Sequence, residues 1–201
     1  MTTATSIQPL ILASSSPRRR KLLAEAGLRF EALAPAVAEP ARQVVPGTPR
    51  QQAEALAFFK ARSVRDQHPD AWVLGADTLV ALGSRSLGKP ADADEARTML
   101  HDLSHSRHAV ITGLALLGPR RQRWLVSDIT WVTMRPMSPA DIEAYIASGE
   151  WQGKAGAYAI QETADRYVER IDGSWSNVVG LPMELLGRLL ARAANQENAL
   201  A

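Results

Sequence analysis

The segment Leu10-Ile11-Leu12-Ala13-Ser14-Ser15-Ser16-Pro17 places the tightest local constraint on what this chain can fold into. An apolar run from Pro9 through Ala13, with Leu10–Ala13 at its centre, reads as a short buried strand. Serine is a preferred N-cap, and proline fits the first helical position because the N–H it lacks would have no helical partner there. A helix is therefore predicted through Arg18–Ala26, with Leu22, Leu23 and Ala26 on one face and Gly27 stopping it.

The same logic carries along the chain. Phe30–Leu33 is a second candidate strand, and Pro35–Pro49 is a proline-rich loop. Arg50–Val64 has helical periodicity with Thr48 as its cap. Trp72–Ala76 reads as a strand, followed by Asp77-Thr78 and a further apolar stretch, Leu79–Leu82. Gly83–Pro90 reads as a turn carrying Gly88-Lys89-Pro90, and Asp94–Leu103 as a helix. His108–Leu117 and Trp124–Met134 alternate as two long strands joined across Gly118–Arg123. Ser138-Pro139-Ala140-Asp141 resembles a capping box opening a helix that ends at Gly149. Glu150–Gln161 is expected to be a loop entering a short strand, Tyr167–Ile171 a strand, Asp172-Gly173 a turn and Leu185–Ala194 the last helix. Residues 1–8 and 195–201 are expected to be frayed ends. Strands and helices mix throughout without a repeat or low-complexity linker. The expectation is an α/β fold, one long mixed sheet with helices around it, forming a single domain over 1–201.

Composition narrows the function classes. The 201 residues suffice for a sizeable core, and a net charge of +2 is unlike a polybasic nucleic-acid binder. No cysteine is present, which removes disulfides, thiolate catalysis and cysteine metal sites. No apolar run is long enough for a transmembrane helix, and Met1–Pro9 lacks the Lys or Arg of a signal peptide. The cytoplasm is the default compartment, with neither membrane nor nucleic-acid polymer as partner.

Several segments could carry chemistry. Ser14–Arg20 combines a helix N-terminus with Arg18, Arg19 and Arg20, a combination suited to an anion. The alternative is a capped surface helix with solvated arginines, although cations in a first turn oppose the helix dipole. Asp77, in Gly75-Ala76-Asp77-Thr78, is read at a strand end, where it could act as a base, orient water or hold a metal ion. Its alternative is a turn aspartate. Lys60 and Lys89 are phosphate candidates or solvated lysines, and Glu39 in the proline-rich loop is equally open. His101, His105 and His108 lack partner ligands at zinc spacing and are read as surface histidines. In Lys154–Gln161, glycines at Gly153 and Gly156 permit close backbone approach. Tyr158 could stack on a base or sit in the core, and the Gln161 amide could read a base edge.

In this order the segments resemble the Maf family of nucleoside triphosphate pyrophosphatases. The resemblance runs from Leu10–Arg20 through Leu56-Ala57…Lys60-Ala61, Gly75-Ala76-Asp77-Thr78, Gly88-Lys89-Pro90, Lys154-Ala155-Gly156-Ala157-Tyr158…Gln161 and Val179-Gly180-Leu181-Pro182. It implies an elongated mixed β-sheet flanked by helices with a nucleotide cleft, of the Maf/ITPase-like kind. It also implies hydrolysis between the α and β phosphates, giving a monophosphate and pyrophosphate with a divalent cation, Mg²⁺ or Mn²⁺. On that basis Asp77 is the base that activates water. Arg18, Lys60 and Lys89 neutralise the triphosphate, Ser14 and Ser16 line the phosphate site, and Glu39 assists metal or water placement. Arg18, Thr78 and Gln161 resemble the dTTP/UTP branch; the 7-methyl-GTP branch resembles Trp, Gln and Glu at these places. Trp151-Gln152 and the Glu162-Thr163 pair after Gln161 depart from the family pattern and leave room for altered base preference. Alternatives are a pyrophosphatase for 7-methyl-GTP or other modified nucleotides and a nucleotide-binding regulator of cell division. A nucleoside triphosphate is the expected partner, and a homodimer is compatible with the resemblance.

Overall fold

A computed structural model describes residues 7–35, 46–161 and 163–199. Among these, the strands are β1 (Leu10–Ala13), β2 (Glu31–Leu33), β3 (Trp72–Leu82), β4 (Arg85–Leu87), β5 (Arg107–Leu117), β6 (Arg123–Met134) and β7 (Val168–Asp172). The helices are α1 (Pro17–Glu25), α2 (Pro49–Arg65), α3 (Ala93–Leu103), α4 (Pro139–Ser148), α5 (Trp175–Val179) and α6 (Met183–Asn198). The strands form one mixed seven-stranded sheet in the order β2-β1-β3-β5-β6-β7, with β4 paired to β3. β1 runs parallel to β2 and β3, while β3–β4 and β6–β7 are antiparallel.

The helix starts follow their caps. Ser16 caps α1 with Pro17 beside it, and capping boxes open α2 through Thr48 and Gln51 and α4 through Ser138 and Asp141. Gly27 and Gly149 take the left-handed conformation just past α1 and α4.

The chain divides into two compact units, with divisions inside β3, β5 and β6 and after α5. The first holds residues 1–77, 112–128 and 180–201. There Ile11, Ala13, Val73, Ala115 and Leu117 pack with Ala57, Ala61 and Val64 of α2. Leu12, Leu74, Leu114 and Leu116, on the other face of their strands, are also fully buried, so this part of the sheet is covered on both sides. The second unit holds residues 78–111 and 129–179. Its core joins Val80, Leu100, Leu103, Val110, Val132, Tyr145 and Tyr158, among others.

Several expectations need correction. Asp77 does not lie at a strand end: β3 is continuous from Trp72 to Leu82, because the buried acid is matched by a base instead of being turned to water. Gly83–Pro90 is not all turn, since β4 folds back on β3 and pairs Val80 with Leu87. The loop after Glu150 enters no strand; Ala155–Ala157 and Thr163–Tyr167 are short 3-10 helices. Ala26 is exposed, so the buried face of α1 rests on Leu22, Leu23 and Arg19. The last helix runs past the expected end at Ala194, from Met183 to Asn198, and Ile7 is buried. No helix among the described residues is long and apolar enough to cross a membrane.

Candidate functional site

The first unit gathers most of the candidates. β1 pairs in parallel with β3 such that Ala13 faces Gly75. Ser14 follows directly, and its N–H turns back to the Leu12 carbonyl at 3.0 Å, ending the strand there. The turn between β1 and α1 is internally braced. The Ser14 Oγ accepts from the Ser16 N–H at 3.2 Å and from Arg19 Nη1 at 3.3 Å. The Ser16 Oγ accepts from the Arg19 N–H at 3.4 Å. Ser14 is buried, Ser16 and Arg18 are half-buried, and Arg20 is exposed.

Arg19 is not the solvated arginine of the surface-helix alternative. It is only 9% exposed, and its Nε donates to the Gly180 carbonyl at 2.7 Å. The Gly180-Leu181-Pro182 segment is thereby tied to the first turn of α1, which gives the Val179–Pro182 motif a physical reason. The available signal in sequence was a cation in a helix first turn that has no acidic residue to balance it. Arg19 is thus committed to protein acceptors.

Lys60 and Asp77 meet as a buried ion pair. The Lys60 Nζ donates to Asp77 Oδ1 at 2.7 Å, with side chains 8% and 2% exposed. Gly75 makes this possible: a Cβ there would lie 2.2 Å from the Ala57 carbonyl oxygen and 2.8 Å from the Ala61 nitrogen. The missing side chain lets α2 settle directly on β3, and Lys60, one residue before Ala61, reaches Asp77. Each charge offsets the desolvation of the other. Lys60 is therefore neither a solvated lysine nor positioned independently of the candidate base.

The second unit carries Thr78, Lys89 and Gln161. Thr78 is half-buried, while Lys89 and Gln161 are exposed. The turn before Lys89 is fixed by the Gly156 N–H, which donates to the Gly88 carbonyl at 2.9 Å. Two motifs far apart in sequence are thus in direct contact. Tyr158 is a core residue, its hydroxyl 2.8 Å from His108 Nε2, and so is not placed to stack on a base. His101 and His105 are exposed as expected, but His108 is fully buried and its pKa is pulled down to about 4 by that burial. Trp151 packs against the same core and donates its indole N–H to the Ile146 carbonyl. Glu39 lies outside the described residues.

A resident metal would find limited protein ligation. Among the described residues, no three His, Cys, Asp or Glu side chains converge on one point. Asp77 supplies a hard oxygen donor of the kind Mg²⁺ or Mn²⁺ prefers, and such ions are commonly held by one or two carboxylates together with substrate phosphates. The donor set therefore fits a cation shared with a phosphate chain, not one caged by protein alone.

The fold and site define an α/β protein in which a serine-capped helix start and a buried lysine–aspartate pair share one compact unit. The chain belongs to the Maf-like protein family, whose model matches residues 9–193. A relative from Rhodospirillum rubrum named dTTP/UTP pyrophosphatase is 46% identical over 91% of this chain and 87% of its own. Another of that name from Thermomicrobium roseum is 48% identical over 92% of this chain and 84% of its own. A solved structure of a HAM1 protein from Coxiella burnetii aligns with a TM-score of 0.48 at 15% identity, covering 91% of this chain and 98% of that one.

Proposed function

We propose that this chain is a nucleoside triphosphate pyrophosphatase that hydrolyses dTTP and UTP to the monophosphate and pyrophosphate. The observation that carries the reading is the buried Lys60–Asp77 pair, in the same compact unit as the braced Ser14–Ser16 turn. The relatives' names supply the substrate class.

In this reading the Asp77 carboxylate accepts a proton from water while the water oxygen bonds to the α phosphorus. The bond from that phosphorus to the α–β bridging oxygen breaks, and pyrophosphate leaves with the bridge oxygen. Lys60 serves both partners, holding Asp77 and placing a cation beside the phosphate chain. Fixed cations of this kind stabilise charge spread over phosphoryl oxygens without reorganising during the reaction. The α1 N-terminus, Ser14, Ser16 and Arg18 bind phosphate oxygens, and Lys89 adds a further cation. A bound Mg²⁺ or Mn²⁺, held by Asp77 and the substrate, would supply additional charge neutralisation. Thr78 and Gln161 set the base preference; the Gln161 amide can both donate to and accept from a uracil or thymine edge. The cytoplasm is the proposed compartment, and a homodimer the assembly to be checked by sedimentation.

The test is a product-resolved screen of single nucleotides with Mg²⁺ or Mn²⁺ in solvent enriched in ¹⁸O. The expected products are pyrophosphate and a monophosphate carrying the label. Orthophosphate plus a diphosphate rejects the reaction, and label in pyrophosphate moves the attack to the β phosphorus. Asp77→Asn, assayed where it remains folded, is expected to lower kcat about 10²-fold or more while nucleotide binding survives. Wild-type turnover in that variant removes Asp77 as the base. Gln161→Glu is expected to shift preference from dTTP toward 7-methyl-GTP; an unchanged ratio rejects Gln161 as a selector.

A further inference from the structure

The second unit contains a buried polar chain with no part in the reaction described above. Ser106 Oγ donates to the Leu103 carbonyl at 2.7 Å and lies 3.5 Å from His108 Nδ1. With that hydroxyl proton committed, the His108 N–H belongs on Nδ1, facing Ser106. His108 Nε2 is then the acceptor for the Tyr158 hydroxyl at 2.8 Å. Both rings are buried, and they meet edge to face. The chain of bonds thus runs from the end of α3, through the start of β5, to the residue after the Ala155–Ala157 turn.

That turn is conformationally costly. Gly156 and Ala157 have φ of 70° and 62°, consecutive left-handed residues, and Ala157 must hold this conformation with a Cβ while fully buried. Gly156 fits tightly as well, since a Cβ there would lie 2.8 Å from Val80 Cγ2. Such a conformation persists only where its surroundings over-determine it. Two side-chain bonds do so on the C-terminal side: Tyr158 to His108, and the Ala159 N–H to the Tyr145 hydroxyl at 3.2 Å. The strained turn has one outward result, in that the Gly156 N–H is aimed at the Gly88 carbonyl at 2.9 Å, one residue before Lys89.

We propose that His108 and Tyr158 are positioning residues, whose buried hydrogen bond holds the Gly156-Ala157 turn so that it clamps Gly88 and fixes the backbone that presents Lys89. This rests on the reading of Lys89 as a phosphate-binding cation. Neither ring touches substrate; both act through the Gly156–Gly88 bond. Tyr158→Phe is the sharpest probe because it deletes one hydroxyl and keeps the ring's packing.

Two measurements test the clamp. The first is amide hydrogen exchange at Gly156, which is expected to speed up in Tyr158→Phe and in His108→Phe and needs no activity. The second is a kinetic cycle with Lys89→Ala on dTTP. Tyr158→Phe is expected to lower kcat/KM about tenfold in the wild-type background and less than about twofold in the Lys89→Ala background, because residues acting through a shared partner are non-additive. A purely structural role would give equal losses in both backgrounds. Unchanged Gly156 exchange, or additive kinetic losses with active wild-type enzyme, overturns the clamp alone. Wild-type protein that turns over no nucleoside triphosphate overturns the functional reading, and the role of Lys89 with it.

Discussion

Lys60 and Asp77 each bury a charge almost completely, and each offsets the desolvation of the other. Removing one partner of such a pair costs about 3–5 kcal/mol, whereas replacing both with apolar residues of similar volume is often near neutral. Lys60→Met and Asp77→Leu are accordingly expected to lower unfolding free energy strongly as single changes, and the double variant to recover most of the loss. Urea denaturation of the four proteins checks this, and a double variant that sums the two losses rejects the pair as a stability unit. The pairing was invisible in sequence for a plain reason. Lys60 sits next to Phe58 and Phe59 in a helical pattern that any surface lysine could occupy, and its partner is 17 positions away on another element. Arg19 was hidden likewise: its acceptor, Gly180, is 161 positions distant. Motif order named Lys60 and Asp77 through resemblance, but only the packing of α2 on β3 makes them one group.

Elements were most legible where their signals are local. Ser16-Pro17, Thr48-Pro49 and Ser138-Pro139 each place a cap and a first helical residue side by side, and all three helices start there. β3 was harder because Asp77-Thr78 interrupts an apolar run, and burial of a polar residue depends on what packs over it. Gly75 and Gly113 show how close that packing is. A Cβ on Gly113 would lie 2.4 Å from the carbonyl carbon and oxygen of Ala53, just as one on Gly75 would strike Ala57. Both glycines seat α2 against the sheet. Gly75→Ala and Gly113→Ala are each expected to cost about 1–3 kcal/mol or more through overpacking, and Gly75→Ala also to depress turnover by displacing Lys60 from Asp77. Gly187, exposed inside α6, has nothing within 4 Å of its missing Cβ. Gly187→Ala is expected to stabilise by about 0.5–1 kcal/mol. Thermal unfolding of the three variants decides it: Gly75→Ala and Gly113→Ala proteins as stable as wild type would mean that α2 does not depend on these two missing side chains for its seat on β3 and β5.

For the whole molecule, the buried histidine gives stability a dependence on pH that composition does not reveal. His108 is expected from sequence to be one of three neighbouring surface histidines, but β5 is buried on both faces from His108 onward, so alternation along it marks no exposed side. In the folded protein its pKa is pulled down to about 4, while in the unfolded chain it returns to about 6.5. Between these values the unfolded state binds the extra proton, so stability rises with pH across the window. The contribution of neutral His108 is fully present above about pH 6.5 and is lost progressively as pH falls toward 4. At pH 5 the loss is roughly 2 kcal/mol, from about 1.4 kcal/mol per pH unit over 1.5 units. Protonation also turns Nε2 from acceptor to donor, so the Tyr158 hydroxyl could no longer donate to it. Unfolding free energies at pH 7 and pH 5 should therefore differ by less in His108→Phe than in wild type, the gap between the two proteins narrowing by roughly 2 kcal/mol at the lower pH. His101→Gln, an exposed control, should leave the wild-type pH dependence in place. Equal pH dependence in wild type and His108→Phe would mean that this ring does not gain its proton on unfolding, and that acid destabilisation arises elsewhere in the chain.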